Sequence, residues 1–196
     1  MSSSNATAGA PRSTDDAILD AAADLIVHLG VRRTQLAEIA RRAGVSRPTV
    51  YRRWPDVQAV IGALLTREIL ATLEGTSLEV HDRETFVDRV VEVAVRLRDH
   101  PVLGALLHSG DSDLLLRYVV ERLGASQRGL LEALRTGIEQ GQAVGSIRAG
   151  EPTELAAMVL LITQSTVQSH RMVASLLPEA AWRRELARAL NGYLAP

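Results

Sequence analysis

Seven arginines lie between residues 31 and 55, where the single acidic residue is Glu38. These arginines are Arg32, Arg33, Arg41, Arg42, Arg47, Arg52 and Arg53. The segment therefore carries a formal charge of +6, whereas the whole chain carries a net charge of −1. A guanidinium group donates paired hydrogen bonds to phosphate oxygens and to the edge of guanine. A short basic segment in an otherwise acidic chain indicates a surface that binds a polyanion.

Side chains for other kinds of chemistry are sparse or scattered. The chain has no Cys, which excludes disulfides, thiolate metal sites and cysteine nucleophiles. Its five histidines are dispersed and form no HExxH pair, and we find neither a glycine-rich phosphate loop nor a nucleophile motif. We therefore expect no catalytic residues, no metal site and no cofactor.

Two short helices are predicted to position the arginines. Thr34 is expected to cap the first, which runs to about Arg42, and Ser46 to cap the second, which runs to about Trp54. Gly44 between them supplies the left-handed backbone conformation that a sharp turn needs. Two short helices joined by such a turn form a helix-turn-helix, whose second helix enters the major groove of DNA.

The residues of this segment divide into an inner and an outer face. Ala40 is small where the two helices cross, and Pro48 is tolerated in the first turn of the second helix. The inner face is expected to contain Leu36, Ile39, Val45 and Val50. The second helix then presents to solvent Arg47, Thr49, Tyr51, Arg52 and Arg53.

The whole chain is predicted to be all-α, with about nine helices. Hydrophobic residues make up 46% of it and aromatic residues only 3%, so the core must consist of Leu, Val, Ile and Ala, which favours helices over sheets. Residues 1–12 are predicted to be a disordered arm, 13–56 a helix-turn-helix domain and 57–196 a second helical domain. The first helix should begin after Ser13 and end at Gly30.

The second domain is predicted from its apolar segments and prolines. The segment Phe86–Leu97 is apolar on nearly every face, which indicates a helix buried in a bundle. Further helices are expected to begin near Pro101, Leu114, Pro152 and Pro178. The longest apolar run, of eight residues, is far shorter than the roughly 20 needed to cross a bilayer. The first eleven residues lack the apolar core of a signal peptide, so we expect a cytoplasmic protein.

The stretch TQLAEIARRAGVSRPTVYRRW resembles the TetR (tetracycline repressor) family of transcriptional regulators. The motif residues that carry the resemblance are Ile39-Ala40, Ala43-Gly44-Val45-Ser46, Pro48-Thr49-Val50-Tyr51 and Trp54, the last being usually Phe in the family. The resemblance covers roughly residues 13–65, and the remainder matches only in helix number and order. It implies a bacterial repressor that binds DNA as a homodimer.

The resemblance also implies roles for individual residues. Arg47, at the start of the recognition helix, is expected to read a guanine, a contact worth about 1–3 kcal/mol of discrimination. Pro48 is expected near the groove, and Arg12 could reach the adjacent minor groove. Contacts to the DNA backbone are expected from Thr34, Gln35, Thr49, Tyr51, Arg52 and Arg53.

Two positions depart from the family pattern. Val57 stands where the family normally has a Lys that reaches a phosphate, so that contact is missing or is replaced by Arg52 or Arg53. Ala37 stands where some relatives contact a base, and its side chain can touch at most a thymine methyl group.

Two long C-terminal helices, Glu151–Leu176 and Glu179–Leu194, correspond to those with which the family forms a two-fold four-helix interface. Burial within the monomer is the competing explanation for their apolar faces. A dimer would place two recognition helices roughly 34–36 Å apart and bind a near-palindrome.

The resemblance further implies a pocket for a small hydrophobic effector, whose binding would favour a spacing of the recognition helices that no longer fits the operator. The candidate lining residues are Leu64, Glu68, Val90, Leu107, Tyr118 and Gln164. Three alternatives stay open at this point: a helical ligand- or partner-binding protein with vestigial DNA binding, a ligand-independent regulator, and an activator.

Overall fold

The computed structural model describes residues 13–75, 82–107 and 125–196, and this part of the chain contains no strand. It forms nine α-helices: α1 Thr14–Leu29, α2 Leu36–Arg42, α3 Arg47–Arg53, α4 Val57–Glu74, α5 Arg83–Asp99, α6 Pro101–Leu107, α7 Ala125–Ala143, α8 Pro152–Val173 and α9 Glu179–Leu194. A 3₁₀ turn, Val31–Arg33, links α1 to α2. The prediction of an all-α fold is confirmed.

The helices begin where the sequence places capping side chains. The hydroxyl of Ser13 accepts a hydrogen bond from the Asp16 amide at 3.0 Å, and the Asp16 carboxylate accepts one from the Ser13 amide at 3.3 Å. Asp56 caps α4 by accepting from the Ala59 amide at 2.7 Å. These side chains satisfy amides that have no partner within their own helix, and they fix the first residue of each helix.

Two helix limits differ from their predictions. The N-cap residue of α2 is Gln35 and not Thr34, whose hydroxyl instead donates to the carbonyl of Gly30 at 3.0 Å. Thr34 is the residue at which the 3₁₀ turn ends, so α2 begins one residue later than predicted. At the other end of the chain, α8 stops at Val173 and not at the predicted Leu176.

Two separate clusters of buried side chains form the interior. The first lies among α1, α2, α3, the first half of α4, and α6, and its fully buried residues include Ile18, Ile39, Val50 and Leu64. The second lies among α5, α7, α8 and α9, and it includes Val87, Ile138, Val159 and Leu190. The first cluster extends past the predicted domain limit at residue 56, because α4 and α6 both contribute to it.

Helix α5 is buried on several sides, as its many apolar residues predict, whereas charged residues such as Asp88 and Arg96 are exposed. Its buried residues are Phe86, Val87, Val90, Val91, Val93, Ala94 and Val95. Within the described residues, no helix is long and apolar enough to cross a membrane. The predicted arm and most of the predicted loop at residues 75–81 lie outside the described residues. A helix bent near Gly124 is predicted from Leu114 to Gln140; its first part lies outside the described residues, and its second part is α7, which ends at Ala143.

Candidate nucleic-acid interface and effector cavity

Gly44 makes the sharp turn between α2 and α3. Its φ of +67° lies in the left-handed region, whereas a Cβ added there would meet no atom within 4 Å. Two hydrogen bonds close the end of α2, from the Val45 amide to the Ala40 carbonyl at 3.0 Å and from the Gly44 amide to the Arg41 carbonyl at 3.3 Å. This pair of bonds defines a Schellman motif. Glycine is therefore required here by the backbone conformation and not by lack of space.

The start of α3 is held by Ser46 and its middle by Val50. The Ser46 hydroxyl accepts a hydrogen bond from the Thr49 amide at 3.3 Å and lies 2.7 Å from the Thr49 hydroxyl. Pro48 stands in the first turn, where a missing amide hydrogen costs nothing. Val50 is completely buried in the first cluster. One face of α3 is thus anchored, and the opposite face is free for a partner.

That free face contains most of the residues predicted for DNA contact. Arg47, Pro48, Tyr51 and Arg52 are exposed, and Thr49 is half-buried. Tyr51 is 52% exposed although its ring is largely apolar. Arg47 and Arg52 form no ion pair with any described residue. Two unneutralised guanidinium groups beside an exposed aromatic ring can bind phosphate oxygens and base edges.

Other arginines of the basic segment are paired with carboxylates. Arg42 lies 3.2 Å from the carboxylate of Asp24, and Arg53 pairs with Asp15. Arg41 binds Glu38 through two nitrogens at 2.9 and 2.5 Å, and these hydrogen bonds lower the pKa of Glu38. The acids of α1 therefore offset part of the +6 charge of the basic segment. Because these acids are distant from the arginines in sequence, the composition of the segment alone does not predict the ion pairs.

The start of α2 differs from the expectation at Thr34. Its side chain is buried and its hydroxyl donates to Gly30, so the hydroxyl is not exposed to a DNA phosphate. Gln35 is exposed at the N-cap position. Val57 packs against the first cluster, which is consistent with the loss of the family's lysine contact there. Arg12 lies outside the described residues.

An apolar cavity of about 160 Å³ lies between the two clusters of buried side chains. Helices α4, α5, α6, α7 and α8 form its walls, and most of the lining is aliphatic. An apolar cavity of this size stays dry and takes up small apolar molecules. The sequence would have revealed part of the α4 wall, because Leu65, Ile69 and Leu73 recur at a helical spacing.

The residues predicted to bind an effector are distributed over several environments. Val90 and Gln164 line the cavity. Leu64 is completely buried in the first cluster and does not line the cavity. Glu68 does not line the cavity, and its carboxylate lies 2.6 Å from Arg67 and 3.3 Å from the His100 ring. Tyr118 and the side chain of Leu107 lie outside what the structure describes.

Helix α8 has one buried and one exposed apolar face. Leu155, Ala156 and Val159 belong to the second cluster. The exposed apolar residues of this helix and of the turn that follows it are Met158, Leu161, Met172, Val173 and Leu176, of which Met172 and Leu176 are more than 80% exposed. The monomer therefore leaves part of the apolar surface of this helix exposed.

Comparison with known proteins agrees with this arrangement. Residues 18–64 match the family described as bacterial regulatory proteins of the tetR family. An HTH-type transcriptional regulator of Mycobacterium bovis is 50% identical over 181 residues, which cover 92% of this chain and 94% of that protein.

Two solved structures have the same fold. The fatty acid degradation regulator FadR from Bacillus halodurans superimposes with a TM-score of 0.68 at 19% identity, covering 93% of this chain and 96% of that one. The transcriptional regulator FadR from Bacillus subtilis, in complex with stearoyl-CoA, superimposes with a TM-score of 0.64 at 19% identity, covering 91% and 98% of the two chains.

Proposed function

Because the chain belongs to the TetR family of helix-turn-helix transcriptional regulators, we propose that it is a homodimeric repressor released from a near-palindromic operator by a small hydrophobic molecule. The family consists of DNA-binding regulators and not of enzymes. The observation that carries the proposal is that α4 and α6 belong both to the core behind the recognition helix and to the wall of the cavity.

Individual side chains support the coupling between cavity and DNA-binding core. Leu65 on α4 and Leu106 on α6 line the cavity and also pack in the first cluster. A ligand that fills the cavity therefore pushes on side chains that hold α1 and α2 in place. Since packed cores switch between discrete arrangements and do not deform continuously, such a push shifts the population of recognition-helix positions.

An ionic contact adds a second link between α4 and α1. Arg67 lies 2.8 Å from the carboxylate of Asp20 and donates to the carbonyl of Asp16 at 3.4 Å. The same guanidinium group lies 2.6 Å from Glu68. A rotation of α4 would pull on α1 through this contact as well as through the apolar core.

The exposed apolar face of α8 supports the homodimer. A row of apolar side chains on an otherwise polar surface marks an interface, and a two-fold axis would pair this row with its copy. Such a dimer holds two recognition helices at the spacing of successive major grooves, roughly 34–36 Å. The operator would then be a near-palindrome.

The aliphatic lining of the cavity supports a hydrophobic effector. The FadR protein of Bacillus subtilis binds stearoyl-CoA, so a protein of this fold takes a molecule with an apolar chain. For the present chain we propose the same type of control, exerted by an effector whose apolar part occupies the cavity.

Fluorescence anisotropy of the full-length protein with labelled DNA from its own promoter region tests the DNA-binding part. We expect tight binding relative to a scrambled duplex, and a loss of about 10³-fold in affinity between 50 and 200 mM salt, because several phosphates are neutralised. A salt-independent affinity, or equal affinity for the two duplexes, would contradict the proposal.

The dimer is tested with the double variant L161E/M172E and its control V144E, since Val144 is an exposed apolar residue outside α8. Analytical ultracentrifugation should show a monomer for the double variant and a dimer for the control. Only the double variant should lose operator binding. A dimeric double variant would exclude the α8 face as the interface.

A further inference from the structure

A second, polar cleft adjoins the apolar cavity. It has a volume of about 670 Å³ and lies between the end of α5, the start of α6 and the last turns of α8. Its polar lining consists of Arg98, Asp99, His100, Gln168, His170 and Arg171. Val167 and Gln168 line both the cleft and the cavity, so the two spaces share a wall.

The cavity and the cleft lie end to end along α5 and α8. On α5 the lining changes from Val93 and Leu97 in the cavity to Arg98 in the cleft. On α8 it changes from Leu160 in the cavity to Arg171 in the cleft, a separation of about 16 Å along the helix axis. One elongated molecule that passed the shared wall at Val167 and Gln168 would contact an apolar lining at one end and a charged lining at the other.

The charges of the cleft are only partly balanced. Arg98 donates to the Asp99 carboxylate at 2.7 and 2.9 Å and lies 3.5 Å from the Glu179 carboxylate, so its own charge is balanced. Asp99 is the acidic residue among those that line the cleft. The His100 ring lies 3.3 Å from Glu68. Arg171 is exposed and forms no ion pair with any described residue, so it leaves a positive charge in the cleft.

Three side chains that line the cleft have a buried nitrogen atom without a hydrogen-bond partner among the described residues. These atoms are Nη1 of Arg98, Nδ1 of His100 and Nε2 of His170. Arg98 and His170 also contact Trp182, whose own Nε1 lacks a partner: the Arg98 guanidinium group lies 5.0 Å from its ring centre and the His170 ring lies 5.4 Å from it, edge to face. Buried polar atoms without a partner are costly, so small adjustments that bring them to a polar group in the cleft would be favourable.

We propose that the effector is an amphiphile, with an apolar body in the cavity and one anionic group in the cleft beside Arg171 and His170. This inference rests on the proposed function, since it assumes that the cavity binds the effector. A cationic group would be repelled by Arg171, and a neutral group would leave that charge without a counterion. An anionic group balances the charge of Arg171, accepts from Nη1 of Arg98, and accepts from Nε2 of His170 in the tautomer that carries hydrogen on that atom.

The first experiment compares three probes with the same eight-carbon body. Isothermal titration calorimetry of the full-length protein, without DNA and at pH 7, measures binding of octanoate, 1-octanol and octylamine. We expect octanoate to bind at least about tenfold more tightly than octanol, as a charged hydrogen bond predicts, and octylamine to bind most weakly. Equal affinities for octanoate and octanol, or no binding of any probe, would overturn the proposal.

Variants locate the two ends of the ligand. R171Q should reduce the affinity for octanoate to that for octanol and leave octanol binding unchanged. V93W, which fills the cavity, should abolish binding of both. The matched control is R188Q, which removes an exposed arginine on α9. If both R171Q and H170N keep the full preference for octanoate, in proteins whose thermal unfolding is unchanged, the proposed head-group site is wrong.

Operator release is measured separately, so that the two proposals can fail independently. If octanoate binds with the expected preference and leaves the operator complex intact, the ligand class stands and the release mechanism fails. If octanol and octanoate bind equally and both release the operator, the release mechanism stands and the amphiphile is wrong.

Discussion

The two clusters of buried side chains differ in how completely the helices around them cover apolar surface. In the first cluster the apolar residues of α1, α2 and α3 are buried together, and the exposed face of α3 is polar. An apolar cavity stays open where the second cluster faces the first, and an apolar face of α8 beside the second cluster is exposed. The first region thus holds its exposed surface in a fixed shape, whereas the second leaves apolar surface that the proposed effector and the proposed partner subunit would cover.

The largest expected difference between the regions concerns the loss of a buried side chain. Ile39 is completely buried in the first cluster, whereas Ile69 is half-buried at the cavity wall. I39A should lower the free energy of unfolding by about 2–5 kcal/mol, because a close-packed site loses its contacts and gains a void. I69A should cost less than half as much, because one side of Ile69 already faces empty space.

Urea unfolding at one fixed protein concentration measures both effects, since dissociation of a dimer would otherwise contribute. Equal losses for I39A and I69A would mean that the cavity is closed by packing in solution. The contrast between a filled and an unfilled region would then fail.

Base reading should belong to the first region alone. R47A should weaken operator binding by about 1–3 kcal/mol and change binding to random DNA much less, since a bidentate contact to guanine carries the discrimination. The control R184A removes an arginine of α9 that pairs with Glu185 at 3.1 Å, and it should leave both affinities unchanged. Equal losses on operator and random DNA, measured by anisotropy, would make Arg47 a phosphate contact.

The same substitution at two glycines should have opposite effects on stability. Gly44 has a φ of +67°, so G44A should cost about 1–2 kcal/mol although there is space for the methyl group. Gly192 lies within α9, has no positive φ and has open space around it, so G192A should stabilise the helix by up to about 1 kcal/mol. Thermal unfolding compares the two variants, and a destabilised G192A would indicate that the partner subunit approaches this position.

The helix-turn-helix could be predicted nearly residue by residue because its determinants are local. Ser46, Pro48 and Gly44 each act on backbone within a few positions of themselves, so their types alone indicate the caps and the turn. The prediction for Thr34 was wrong because its hydroxyl donates to the Gly30 carbonyl beside the 3₁₀ turn and does not cap α2. The residue type alone does not distinguish these two roles of a threonine hydroxyl.

The cavity could be predicted only as a region. Leu64 and Leu65 are adjacent on α4, yet Leu64 faces only the first cluster and Leu65 also lines the cavity. Which face of α4 lines the cavity depends on where α5, α7 and α8 pack, and these helices come later in the sequence. The pairing of Arg53 with Asp15 escaped prediction for the same reason.

The smallest expected difference concerns acid sensitivity. Hydrogen bonds from Arg98 hold the pKa of Asp99 below its usual value, and those from Arg41 do the same for Glu38. A carboxylate with a lowered folded-state pKa stabilises the protein above its unfolded-state pKa, near 4, and this contribution is lost as the pH falls further. Both pairs should therefore contribute to acid unfolding below about pH 4.

The contribution of Asp99 should be the larger of the two, although below about 1 kcal/mol, because its carboxylate remains partly exposed. Its partner Arg98 is only 11% exposed, whereas Arg41 is 71% exposed and its pair is screened by water. Stability measured from pH 7 to pH 3 should thus fall less steeply for D99N than for the parent protein, and E38Q should follow the parent more closely. The control D88N removes an exposed acid of the same helix, α5, and measures the effect of losing one negative charge there. If E38Q flattened the curve more than D99N, the ion pair of the first region would be the stronger one, contrary to its exposure.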